Sequence, residues 1–178
     1  MDPISQGVLG ASFAQVVAKN KGKIVVAAWF GALAGMAPDL DVVIQSPADP
    51  LLFLEFHRQF THSLIFIPFG ALLVAWPLFK LQVRFFRQYL SLRESYLFCL
   101  LGYATHGLLD ACTSYGTQLL WPFSDDRFAW NNISIIDPLF TLPLLVLVAL
   151  AGYKRRRGFA VAACLWALSY LSLGWLQV

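Results

Sequence analysis

The sequence predicts an all-α, polytopic membrane helix bundle of about six helices, and three observations predict it. The first is solvent preference. Of 178 residues, 58% are hydrophobic and only 13% charged, with a mean hydropathy of +0.64. Soluble domains run at about 45–50% apolar and about 25% charged. A soluble globule of this size cannot hide so much apolar surface, which excludes a soluble cytosolic enzyme, a disordered chain and a disulfide-stapled secreted module. The second is run length, because several apolar stretches approach the roughly 20 residues that cross a hydrocarbon core about 30 Å thick. The third is charge, which alternates in sign from loop to loop. One membrane-embedded helical domain, residues 1–178, accommodates all three.

The elements follow in order. Ile4–Ala18 and Ile24–Ala37 are short for full spans. Lys19-Asn20-Lys21-Gly22-Lys23 joins them as a tight helical hairpin turn, and Pro38 closes the second helix. Thr61–Phe79 is a well-formed span, and Ser95–Cys112 is long enough but carries His106 and Asp110. Ile136–Tyr153 and Phe159–Val178 complete the set. Pro68, Pro77 and Pro143 fall inside apolar runs, where membrane helices tolerate them as kinks. Asp2 occupies the place of a leader's basic region, so no signal peptide is expected. Cys99, Cys112 and Cys164 lack CxxC spacing, which argues against a disulfide framework or a zinc finger.

Of the 13 lysines and arginines, 11 fall in three clusters: Lys19/Lys21/Lys23, Lys80/Arg84/Arg87/Arg93 and Lys154–Arg157. The positive-inside rule assigns those loops to the cytoplasm. Arg58 and Arg127 are the other two cations. Six crossings with both termini outside satisfy every cluster; five or four suffice if the first two helices do not span. The Lys80–Arg93 connection reads as an amphipathic segment on the inner leaflet, and Trp121 and Trp130 as anchors at headgroup level.

Polar residues converge on one depth. At a helical rise of about 1.5 Å, Asp39 lies roughly 24 Å from Lys23, His62 roughly 27 Å from Lys80, and Asp110 roughly 26 Å from Arg93. His106 and Asp110, four residues apart, share one helix face, with Tyr103, Thr113 and Ser114 extending the stripe. Asp39 and Asp41 alternate as in an extended or turn segment. His57 and His62 converge only if the helix begins near Thr61. All three histidines of the chain thus meet carboxylates in one layer, a donor set suited to Zn²⁺, Mn²⁺ or Fe²⁺. Arg58 and Arg127 are candidate clamps for a phosphate or carboxylate.

Pro38-Asp39-Leu40-Asp41, His57-Arg58-x-x-Thr61-His62-Ser63 and His106-Gly107-Leu108-Leu109-Asp110 resemble the ordered motifs of the YdjM-like membrane-bound, metal-dependent hydrolases, a family of LexA-regulated inner-membrane proteins. Met1-Asp2-Pro3 and Asp137-Pro138 fit as well, so the resemblance covers nearly the whole chain. It implies Asp39, Asp41, His57, His62, His106 and Asp110 as metal-type positions. Many members carry a histidine near the start of the first helix, where this chain has Gln6.

The leading expectation is a membrane-bound, metal-dependent hydrolase, with zinc the first choice of metal and Mn²⁺ or Fe²⁺ alternatives. Metal-activated water would attack an ester or phosphoester at the periplasmic face of a bacterial inner membrane. Asp39 or Asp41 would act as base, and Arg58 and Arg127 would bind an anionic lipid-linked substrate. The lipid bilayer is the expected partner and nucleic acid is not. A metal or proton transporter using the same cluster as a relay and a non-catalytic scaffold with a structural metal are the competing readings.

Overall fold

The computed structural model describes residues 1–44, 57–85 and 89–176. Among them are six α-helices and no named strand: α1 (Pro3–Val17), α2 (Ile24–Met36), α3 (Ile67–Phe85), α4 (Leu92–Ala111), α5 (Pro138–Lys154) and α6 (Arg157–Trp175). Their starts are written locally. Asp2 caps α1 by accepting from the Ser5 amide at 3.0 Å, with Pro3 in the first turn, where its missing N–H costs nothing. Ser91 and Glu94 close a reciprocal capping box on α4, satisfying two otherwise orphaned amides. Asp137 caps α5, accepting from the Phe140 amide at 3.1 Å.

The helices sort into an inner and an outer set. α1, α2 and α4 pack closely together, α3 lies against α4, and α5 and α6 pair with each other and cover α1. Backbone contact makes the inner set possible. A Cβ on Gly102 would stand 2.2 Å from the Gly31 carbonyl oxygen, and one on Gly31 would stand 2.3 Å from that of Gly10. Small residues at a helix interface permit such close approach where lipid offers no hydrophobic drive between helices. The outer set turns Phe69, Leu73 and Trp76 of α3, Leu139 and Leu142 of α5, and Leu165 and Leu168 of α6 outward. Three helical stretches, Lys21–Val43, Leu64–Gln82 and Arg157–Trp175, are long and apolar enough to cross a membrane.

Two boundaries differ from the sequence reading. Pro38 does not end the second helical segment: beyond Met36 the chain tightens into a 3₁₀ helix, Ala37–Val43, because proline is tolerated in a first turn. Of the extended or turn geometry expected for Asp39 and Asp41, the chain takes the tighter one, a 3₁₀ helix. The third helix opens at Ile67, six residues later than expected, after 3₁₀ turns at Phe60–His62 and Leu64–Phe66. Of the proposed inner-leaflet segment, residues up to Phe85 are helical in α3, and residues 86–88 lie outside the described residues. Trp121 and Trp130 are half-buried, Trp121 with its ring 6.1 Å from that of Phe60 and Trp130 with its ring 5.7 Å from that of Trp175.

Candidate metal centre

Four side chains from three segments meet at one end of the inner set. Asp39 comes from the 3₁₀ extension of α2, His62 from the turn before α3, and His106 and Asp110 from successive turns of α4. One ligand atom of each lies within 4.8 Å of all the others. His62 Nε2 stands 3.5 Å from Asp39 Oδ1 and 3.3 Å from Asp110 Oδ2. His106 Nε2 stands 3.3 and 3.4 Å from the same two atoms. The two Nε2 atoms are 2.9 Å apart. Bonds of about 2.1 Å to one tetrahedral ion would separate ligand atoms by roughly 3.4 Å, so the cluster has the dimensions of a coordination shell.

Hydrogen bonding supports the same reading. His106 Nδ1 faces the Gly35 carbonyl, which only accepts, so the ring proton belongs on Nδ1. His62 Nδ1 lies 2.9 Å from Thr61 Oγ1, whose own proton goes to Asp41 Oδ2 at 3.1 Å, so His62 too donates from Nδ1. Both Nε2 lone pairs then point at each other and at two carboxylate oxygens. Four electron-pair donors this close repel without a cation between them. Asp110 Oδ2, buried and without a hydrogen-bond partner of good geometry, is the orphaned atom such an ion would satisfy. The residues fit a divalent cation.

The surrounding groups orient these four. Asp41 accepts from the Arg58 amide at 3.0 Å and from Thr61, and pairs with His57 Nδ1 at 2.9 Å. It thereby fastens residues 57–62 to the end of α2. On a 3₁₀ helix of three residues per turn, positions two apart point about 120° away from each other, which explains why Asp39 joins the cluster and Asp41 stands behind it. His57 stays one layer out, its ring 6.2 Å from that of His62. The Asp41 carboxylate also holds Arg58 at a φ of 61°, a left-handed backbone uncommon for a side chain of this size.

Arg58 is turned inward, with Nε 3.2 Å from Asp110 Oδ2 and Nη1 donating to Thr113 Oγ1 at 3.3 Å. Its guanidinium lies 4.9 Å from the Tyr115 ring centre. Arg127 approaches the same ring at 5.4 Å and donates to the His57 carbonyl at 3.2 Å, remaining exposed. Gln6 donates to Asp110 Oδ1 at 3.1 Å, and the Met1 amino group pairs with the same oxygen. Residue 6 therefore touches the cluster through Asp110.

Residues not picked out by sequence reasoning complete the centre. Gly35 supplies the carbonyl behind His106, and Tyr115 lies beneath both arginines. Gly107 has no Cβ, and one would stand 2.4 Å from the His62 carbonyl oxygen; its absence lets the His62 turn dock on α4. The signal for Gly107 was its place inside the His106–Asp110 motif. Gly35 and Tyr115 carried none. The segment after α4 laces over this end, with Gln118 donating to the Arg58 carbonyl at 3.1 Å and Leu64 donating to that of Leu119 at 2.9 Å.

A family model described as YdjM inner membrane protein matches residues 1–178. The chain is 34% identical over 109 residues to the inner membrane protein YbcI of Escherichia coli, covering 59% of this chain and 60% of that protein. It is 29% identical over 119 residues to the uncharacterized protein YfhP of Bacillus subtilis, covering 66% of this chain and 35% of the other. The matches span 60% and 35% of those two relatives, in both cases less than two thirds of their length. No solved structure matches.

Proposed function

Since the chain belongs to the YdjM inner membrane protein family, we propose that it is a multi-pass hydrolase holding one divalent cation at the periplasmic face of the membrane. Two histidines and one buried carboxylate, with Asp39 beside them, suit Zn²⁺, with Mn²⁺ and Fe²⁺ as alternatives. The basic loops lie at the opposite end of the inner helices, which supports the periplasmic orientation by the positive-inside rule. When bound, such a cation would activate a water and polarise an ester or phosphoester.

One observation carries the catalytic reading. The side chains of His62, His106 and Asp110 are completely buried, whereas that of Asp39 is 23% exposed. Three sequestered donors would hold the cation, and Asp39 marks the side from which water and substrate would reach it. There Asp39 accepts the proton of the attacking water. Asp41, through Thr61, keeps the proton of His62 on Nδ1, and Arg58 keeps Asp110 aimed at the cluster. Arg127, the outer cation, receives the anionic group of a lipid-linked substrate.

A closed structural site is the second reading, favoured by four protein donors where a catalytic zinc usually has three. Transport finds less support, because the backbone contacts of Gly10, Gly31 and Gly102 fill the space one turn beneath the cluster. Metal analysis of purified protein separates the first two readings, combined with release of phosphate or fatty acid from anionic phospholipid in mixed micelles. The hydrolase should carry about one metal per chain. Asp39→Asn should keep the metal and lose about 10²-fold or more in turnover, and His106→Ala should lose both. Release of the metal by Asp39→Asn, with no hydrolysis by the unsubstituted protein, would establish the closed site instead.

A further inference from the structure

The end of the bundle away from the metal centre holds a cavity of about 730 Å³. Five cations line it, Lys19 and Lys21 from the α1–α2 turn and Arg155, Arg156 and Arg157 from the α5–α6 turn. Ile24, Phe159 and Ala162 form its apolar part. All five cations are exposed, and none forms an ion pair with a carboxylate among the described residues. Lys23, in the same turn as Lys21, differs: it is paired with Glu94 at 2.6 Å.

We propose that this cavity binds a phosphate-bearing anion with at least two negative charges, supplied as the headgroup of an anionic phospholipid. Orientation by positive charge requires only cations in a loop, not two loops converging on one cavity. The C-termini of α1 and α5 offset only about one of the five charges, at roughly half a charge each. α6 begins in the cavity at Arg157 with no side-chain cap from Arg156, so its first-turn amides add donors for an anion. Arginine forks hold phosphate in two-pronged fashion, and lysine adds point charge. The apolar part favours a lipid over a free anion, because glycerol and acyl carbons would lie against Ile24 and Phe159. This site stands on residues separate from the metal centre and independent of the hydrolase reading.

The test is native mass spectrometry of the detergent-purified full chain with a two-phosphate phospholipid, a phosphatidylcholine control and inorganic pyrophosphate. The two-phosphate lipid should bind one per chain in preference to the control. Lys21→Gln and Arg156→Gln should each weaken it about fivefold, the usual worth of one cation near a membrane surface. Lys154→Gln removes the same charge from a neighbour that does not line the cavity, and should weaken binding less than Lys21→Gln does. Arg156→Lys keeps the charge but loses the fork, and should bind more weakly than the parent and more strongly than Arg156→Gln; unchanged gel-filtration behaviour would establish that the variants are folded. Binding of pyrophosphate without lipid would support the shared phosphate chemistry and identify a free diphosphate as its source. Equal loss in Lys154→Gln and Lys21→Gln, or no preference over phosphatidylcholine, would overturn the proposal.

Discussion

α4 and α6 are nearly the same length, 20 and 19 residues, and they do opposite work. α4 buries Ser95, Thr105, His106 and Asp110 along with its apolar residues. The buried residues of α6 are Ala160, Ala163 and Ala167, and its larger apolar side chains, Leu165, Leu168 and Leu173, face outward. An intramembrane polar group is costly unless paired, so only the helix enclosed by others can carry chemistry. The outer helix presents small residues inward so that the enclosure can close. Position in the bundle, rather than length, separates a helix that holds a site from one that shelters it.

The contrast can be broken most forcefully at Asp110. Asp110→Asn leaves Arg58 buried without its counter-charge, a loss of about 3–5 kcal/mol where buried pairs are broken. Expression and thermal stability in detergent should fall, and metal content should drop to background. A variant that keeps its metal would remove Asp110 from the ligand set.

Gly102 and Gly158 compare the two helices with the same substitution. A Cβ at Gly102 meets backbone, whereas one at Gly158 meets nothing within 4 Å. Gly102→Ala should therefore destabilise by about 1–3 kcal/mol, and Gly158→Ala should stay within about 0.5 kcal/mol of the parent protein. Melting midpoints in one detergent decide it, and equal midpoints would mean that the inner crossing is looser than it stands here.

Asp41→Asn probes the layer behind the cluster. Partners behind metal ligands are typically worth about 10–100-fold in affinity, so chelator competition should show weakened but measurable binding. The smallest effect belongs to Glu94→Gln, which removes the half-exposed pair with Lys23. Exposed ion pairs contribute about 0–1 kcal/mol, and the shift should vanish at high salt. A larger, salt-insensitive loss would place that pair among the structural contacts of the inner set.

Much of this was legible before any coordinates. Apolar run length put the starts of α1, α4 and α5 at Ile4, Ser95 and Ile136, within a few residues of the observed Pro3, Leu92 and Pro138. The i, i+4 spacing of His106 and Asp110 put both on one face of α4. The turn around His57–His62 was harder to read, because its path depends on Asp41 gripping the Arg58 amide across 17 positions of sequence. Arg58, a candidate anion clamp in the sequence, stands against Asp110, 52 positions away, and that pairing has no signature in either segment.

By itself the sequence determined that the chain is helical and apolar, within a few residues where five of its six helices begin, which ends of them are basic, and which few polar residues share a depth. Composition, capping and periodicity act over a handful of residues, so they can be read in order along the chain. Only the tertiary structure decided that Asp39 faces His62, His106 and Asp110 while Asp41 stands behind them. It also decided that Arg58 serves Asp110, and that two basic turns 134 residues apart, at Lys21 and Arg155, wall one cavity. Those choices depend on how closely helices approach at Gly10, Gly31 and Gly102 and on the direction in which a 3₁₀ turn aims each side chain. Both are properties of packing between segments, and no single segment contains them.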